Sequence, residues 1–90
     1  MVYNVYSIRD NKTAFMQPLY DQSDASAIRG FARAINNEGT IFDFAPADFD
    51  LYMVGTFDDQ SGELKAVSPI RFVASGSSLV GYKVGASYEK

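Results

Sequence analysis

The close carboxylate pairs in this chain are Asp48 with Asp50 and Asp58 with Asp59. General acid–base work needs two carboxyls in environments that push their pKa values apart. These four flank turns, where both members of a pair are hydrated and ionised, so turn chemistry is the reading they support. The Asp58 loop also misses the calcium-loop pattern, since Gln60 and Gly62 stand where oxygen ligands are wanted. There is no cysteine and no histidine, which removes disulfides, thiol nucleophiles, the usual zinc sites and every histidine-based triad. Serine nucleophiles are left with only a Ser–Lys arrangement to activate them. The run Gly76 to Lys83 is a poor phosphate loop: its lysine comes one place late and no Ser or Thr follows. No catalytic residue, metal ligand or cofactor site emerges, and the chain reads as a non-enzyme.

The side chains that remain able to do chemistry are aromatic and cationic, and their chemistry is binding. On strands, Tyr3 and Tyr52 can stack bases while Arg9, Lys65 and Arg71 track phosphates, as in proteins that hold single strands. The same mixture suits a homodimer interface, which ranks first for it, or a solvated antiparallel face. Arg29 and Arg33 lie one helical turn apart. Like charges at that spacing cost a few tenths of a kcal/mol, so they either serve an anionic partner or form a solvated flank paired to nearby carboxylates.

These residues need a scaffold, and the chain supplies one. Val2 to Arg9 is rich in β-formers, with Val2, Tyr6 and Ile8 on one face and Tyr3, Val5, Ser7 and Arg9 on the other. Asp10-Asn11-Lys12 turns the chain, Thr13 to Met16 is expected to return as a second strand, and Pro18 ends it. Ser23 or Asp24 caps a helix whose apolar stripe is Ala25, Ile28, Phe31, Ala32 and Ile35. Gly30 lies off that stripe and costs about 1 kcal/mol relative to alanine. Asn36 to Gly39 stops the helix. Thr40 to Phe44 is expected as a short strand, and Leu51 to Phe57 as the central one. Asp58 to Gly62 is a hairpin loop. Glu63 to Val67 and Ile70 to Ala74 follow as strands, broken by Ser68-Pro69.

The order β-β-α-β-β-β with short connections predicts an α+β fold: an antiparallel sheet of about five strands with one helix packed on one face. A five-stranded nucleic-acid barrel is the rival, and the long central helix weighs against it. Residues 1–75 form a single domain and 76–90 a flexible tail or edge strand. Leu51, Met53, Phe57, Ile70 and Phe72 are expected in the core with Tyr6 and Ile8. The other face then carries Tyr3, Val5, Arg9, Tyr52, Val54, Thr56, Lys65, Arg71 and Val73, and one helix cannot cover it.

Ninety residues with 47% hydrophobic and 21% charged side chains make one small globular domain. Self-association would supplement so modest a core. The net charge of −3 confines any phosphate contact to a local patch. The start Met-Val-Tyr-Asn-Val-Tyr is not a signal peptide, and no apolar run reaches the roughly 20 residues of a membrane span. A soluble cytoplasmic protein with no membrane partner is expected.

Three blocks resemble a known family: Tyr6 to Lys12, the helical Ala27-Ile28-Arg29-Gly30-Phe31, and above all Pro46 to Asp58. Over residues 1–75, in order and spacing, the chain is similar to the small non-structural protein of the gokushoviruses. These are tailless single-stranded DNA phages of the microvirus group. The resemblance implies a protein outside the virion, acting in the cytoplasm of the infected bacterium during genome replication. It also implies DNA binding, or promotion of single-stranded genome synthesis. It brings no set of binding residues. Two functions follow as expectations: a homodimer that binds single-stranded DNA or the replication machinery, and a protein-interaction module that engages a host or phage replication protein without touching DNA.

Overall fold

The computed structural model describes residues 1–82. Four strands form one antiparallel sheet: β1 (Val2–Asp10), β2 (Leu19–Asp21), β3 (Phe49–Asp58) and β4 (Leu64–Ser75), in the order β2-β1-β3-β4. The helix α1 (Asp24–Ile35) packs on one face, and a single turn, α2 (Ile41–Phe44), follows it. This is the expected α+β arrangement with four strands rather than five.

Helix α1 forms where its stripe and caps agree. The Ser23 hydroxyl accepts from the Ser26 amide at 3.2 Å, and Asp24 and Arg33 lie at the ends of the helix dipole that favour them. At the other end the Asn36 side chain donates to the carbonyls of Ala32 and Leu79 and accepts from the Gly81 amide. That clamp ties the segment after β4 back to the helix. Leu79, expected in a Gly/Ser-rich tail or edge strand, is therefore a core residue, while residues 83–90 lie outside the described residues. The core joins Ala27, Phe31, Ala32 and Ile35 of α1 to Tyr6, Phe49, Leu51, Met53, Ala74 and Leu79.

Three expected elements differ, each for a local reason. Thr13 to Met16 makes only a single bridge, Phe15 opposite Arg9, and pairing with β1 resumes after Pro18 as β2. Thr40 to Phe44 is helical because the Thr40 hydroxyl caps it, accepting from the Asp43 amide at 3.3 Å. The two strands expected on either side of Ser68-Pro69 are one strand, β4, whose register jumps there: Met53 pairs with Arg71 and Gly55 with Ala66.

Two further irregularities decide which side chains face the helix. Val5 pairs with Gly55 but Tyr6 with Met53, so Val54 is an extra residue in β3. Leu51 pairs with Ala74 but Tyr52 with Phe72, so Val73 is an extra residue in β4. A one-residue slip turns every later side chain to the opposite face. Phe57, Ile70 and Phe72, expected in the core, are correspondingly outside it. Phe57 is half-buried opposite Tyr3, Ile70 is exposed, and Phe72 is 55% exposed opposite Tyr52. Val73, expected on the open face, packs against the core.

Candidate nucleic-acid interface

The sheet face away from α1 carries two aromatic trios. In one, Phe15, Tyr52 and Phe72 meet edge to face, with centroids 5.7 Å apart at both contacts. In the other, Tyr20 lies 5.5 Å from Tyr3 and 5.7 Å from Phe57. Such pairs hold each other at well-defined angles and contribute about 0.5–1.5 kcal/mol beyond their area. Between the trios is an apolar hollow of about 310 Å³ whose lining includes Val5, Pro18, Gly55 and Leu64. The Arg9 guanidinium lies over the Phe15 ring at 5.3 Å from its centroid, a cation–π contact at the edge of the first trio.

Local chemistry explains how these rings come to lie together. Ser7 on β1 is buried and donates its hydroxyl to the Met16 carbonyl at 2.7 Å, while the Met16 amide donates to Ile8. These bonds draw residues 13–16 alongside β1 and set Phe15 beside Tyr52. Tyr20 arrives by its pairing with Val5. Phe57 and Phe72 are turned outward by the two extra residues.

Of the residues that the sequence nominates, Tyr3, Arg9 and Tyr52 share this face. Arg71 does not. It pairs with Met53, a core-facing residue, and grips Asp24 at the start of α1: Nη1 donates to Oδ2 at 2.7 Å and Nη2 to Oδ1 at 3.0 Å. The Tyr6 hydroxyl donates to the same carboxylate at 2.6 Å and accepts from Asn4 Nδ2 at 3.0 Å. Hydrogen bonds from Arg71, then from Tyr6, hold the Asp24 carboxyl below the ordinary aspartate range. Burial, then the bond to Asp24, raises the Tyr6 phenol. Arg71 is thus one arm of a clasp joining β1, α1 and β4.

Lys65 lines the hollow, but its place in the ladder is on the other side of the sheet. Its partner is Thr56, which lies opposite Asn4 on the helix side, and its ammonium is 3.8 Å from Glu63. Arg29 and Arg33 project from α1, remote from the aromatic rings, and among the described residues neither pairs with a carboxylate.

The carboxylate pairs behave as turn chemistry. Asp58 accepts from the Gln60 amide, Asp59 accepts from the Met1 ammonium at 2.7 Å, and both carboxyls are held below the ordinary range by those bonds. Asp50, directly opposite Arg9, accepts from Asn11 Nδ2 at 2.9 Å.

The family described as Phage ORF5 protein matches residues 3–79. The chain belongs to that family. It is a phage protein. Neither a curated protein nor a solved structure matches it. Among the described residues no helix is long and apolar enough to cross a membrane.

Within this member of the family the most exposed rings of the face are Tyr20 (61%), Phe72 and Phe15, and sequence reasoning nominated none of them. The signals that point to them are Gly55 inside an otherwise β-branched strand and proline inside β4, both marks of irregular pairing. Gly55 is there for space: a Cβ would collide with the Lys65 carbonyl oxygen.

Proposed function

We propose that this phage protein is a non-enzymatic, non-structural protein of gokushovirus type. It acts in the cytoplasm of the infected bacterium and outside the virion, and as a homodimer binds single-stranded DNA to favour single-stranded genome synthesis. The observation that carries the reading is the pair of aromatic trios flanking an apolar hollow, with Arg9 at one edge. Stacking on exposed rings contributes about 1–3 kcal/mol per base and tolerates any sequence, which suits a protein that coats a genome strand. The shortage of cations on the face makes stacking, not phosphate neutralisation, the main source of affinity.

The test is a fluorescence-anisotropy titration of labelled oligonucleotides at low salt. Binding to single strands, weakened by Tyr52→Ala, Phe72→Ala and Arg9→Ala but not by Lys65→Ala, is the expected result. Absence of binding to any single strand removes direct DNA contact. A second reading then stands, favoured by the net charge of −3 and by an aromatic face typical of protein interfaces. In that reading the face engages a host or phage replication protein, detectable by pull-down from infected cells after nuclease treatment.

A further inference from the structure

The floor of the hollow on the open sheet face is a row of small residues that crosses three strands. Val5 lies opposite Gly55, and Gly55 opposite Ala66. The neighbouring row on one side is Tyr3, Phe57 and Leu64; on the other it is Tyr52 and Phe72, with Phe15 against Tyr52. Along β1 each wall stands about 7 Å from the floor row, two residues of strand rise. One flat ring fits between the walls. The hollow's volume of about 310 Å³ also exceeds the roughly 150 Å³ that holds a benzene molecule.

What can enter is decided by what the lining lacks. Apart from Lys65, every residue around the hollow is a valine, proline, glycine, leucine or alanine, and the Lys65 ammonium is 3.8 Å from Glu63. Pro18 brings no amide hydrogen, and Val5, Gly55 and Ala66 are paired within the sheet. A polar base edge pushed into this space would give up its water for no partner, an unfavourable exchange. An apolar edge would gain by entering. Among the four DNA bases thymine alone carries an apolar group on its major-groove edge, the C5 methyl, and small apolar side chains such as alanine are its usual contacts.

We propose that the hollow receives the C5-methyl edge of a thymine base whose face stacks on the wall formed by Tyr52 and Phe72. The proposal rests on the reading of this face as a single-strand binder and deepens it. Stacking on the rings accepts any base, and the hollow adds a bias toward thymine. Uracil lacks the methyl, so the face prefers DNA to RNA without any contact to the sugar.

The experiment is an anisotropy titration, at low salt, of two labelled oligomers of equal length and the same deoxyribose backbone, one of thymidine and one of deoxyuridine. They differ only in the methyl. Wild type is expected to bind the thymidine oligomer roughly fourfold more tightly, the transfer value of one buried carbon. Ala66→Leu fills the hollow from its floor and should bring the ratio close to one. Leu64→Ala lowers the wall at a residue that is 69% exposed and should reduce the ratio as well. Circular dichroism melts show whether both variants are folded, and Leu64→Ala decides the matter if Ala66→Leu is not. Phe72→Ala should weaken binding of both oligomers. Equal wild-type affinity for the two oligomers overturns the proposal and leaves the stacking reading standing. A thymidine preference that survives unchanged in the folded hollow variants overturns it too, because the methyl then acts through stacking alone. Binding to neither oligomer removes both the proposal and the DNA reading, and leaves the hollow to a protein partner.

Discussion

If the sheet face binds single strands mainly by stacking, its affinity must be unusually tolerant of salt. Among the described residues the open face keeps Arg9 as its cation, and Lys12 of the adjoining turn can add at most one more phosphate contact. For single strands the slope of log K against log salt is about −0.7 per phosphate neutralised. One or two contacts therefore give a slope of about −0.7 to −1.4, and raising salt from about 50 to 200 mM weakens binding only about three- to sevenfold. Removing a stacking ring is worth more: about 1–3 kcal/mol per base, or roughly five- to 150-fold. The perturbations are Phe72→Ala and Tyr20→Ala, which delete the most exposed ring of each trio, set beside Arg9→Ala. Anisotropy titrations of a labelled thymidine oligomer at three salt concentrations give both quantities. The aromatic variants should lose most of the affinity and keep the slope, while Arg9→Ala should flatten the slope and lose less. A slope steeper than about −3 requires four or more phosphate contacts. That would place the strand on the helix arginines and refute the sheet-face reasoning, as would a Phe72→Ala variant that binds like wild type.

The clasp at Asp24 makes stability depend on pH at both ends. The Asp24 carboxyl is held below its ordinary value, so its contribution is complete above about pH 4 and is lost as pH falls through the lowered folded value. The Tyr6 phenol is raised, so its contribution is complete below about pH 10 and is lost as pH rises through the raised folded value. Thermal melts between acid and alkaline pH should show both limbs, with Asp24→Asn flattening the acid one; Tyr6→Phe should cost about 1 kcal/mol at neutral pH. Gly76→Ala should lower the melting temperature by roughly 5–20 °C, the effect of about 1–3 kcal/mol of overpacking. Its Cβ would strike the Pro46 carbonyl oxygen and lie 2.8 Å from Ile35 Cδ1 and 2.9 Å from the Phe49 carbonyl oxygen. Gly30→Ala should do the reverse and raise it by roughly 4–8 °C for about 1 kcal/mol of helix propensity, since a Cβ there meets no atom within 4 Å.

What the sequence discloses and what it hides follow from how local each determinant is. The helix is legible because its determinants lie within a few residues of one another: the Ser23 cap, the stripe through Ile28, Phe31, Ala32 and Ile35, and the stop at Asn36. The Asp58–Gly62 hairpin is legible for the same reason, with Gly62 at a φ of 78° and Asp58 accepting from Gln60. The faces of β3 and β4 are not, because they depend on which residue of a distant strand lies opposite. Strict alternation assigns Leu51 and Met53 correctly and then fails beyond Val54. The error is not random in its effect. Each extra residue moves an aromatic ring outward, Phe57 in β3 and Phe72 in β4, and the shift in β4 also carries Arg71 inward to Asp24. The irregular pairing thus exchanges two cations, Arg71 and Lys65, for two rings at the ladder positions of the open face. A regular sheet of this sequence would present a basic, sparsely aromatic surface over a better-filled core. The bulged sheet presents an aromatic one and leaves the core to α1, Tyr6, Phe49, Leu51, Met53, Ala74 and Leu79. Bulges that move large apolar side chains out of so small a core lower its stability. Their compensation is best sought on the face where those side chains emerge, and this is why the aromatic variants, rather than the arginines, are the decisive test of function.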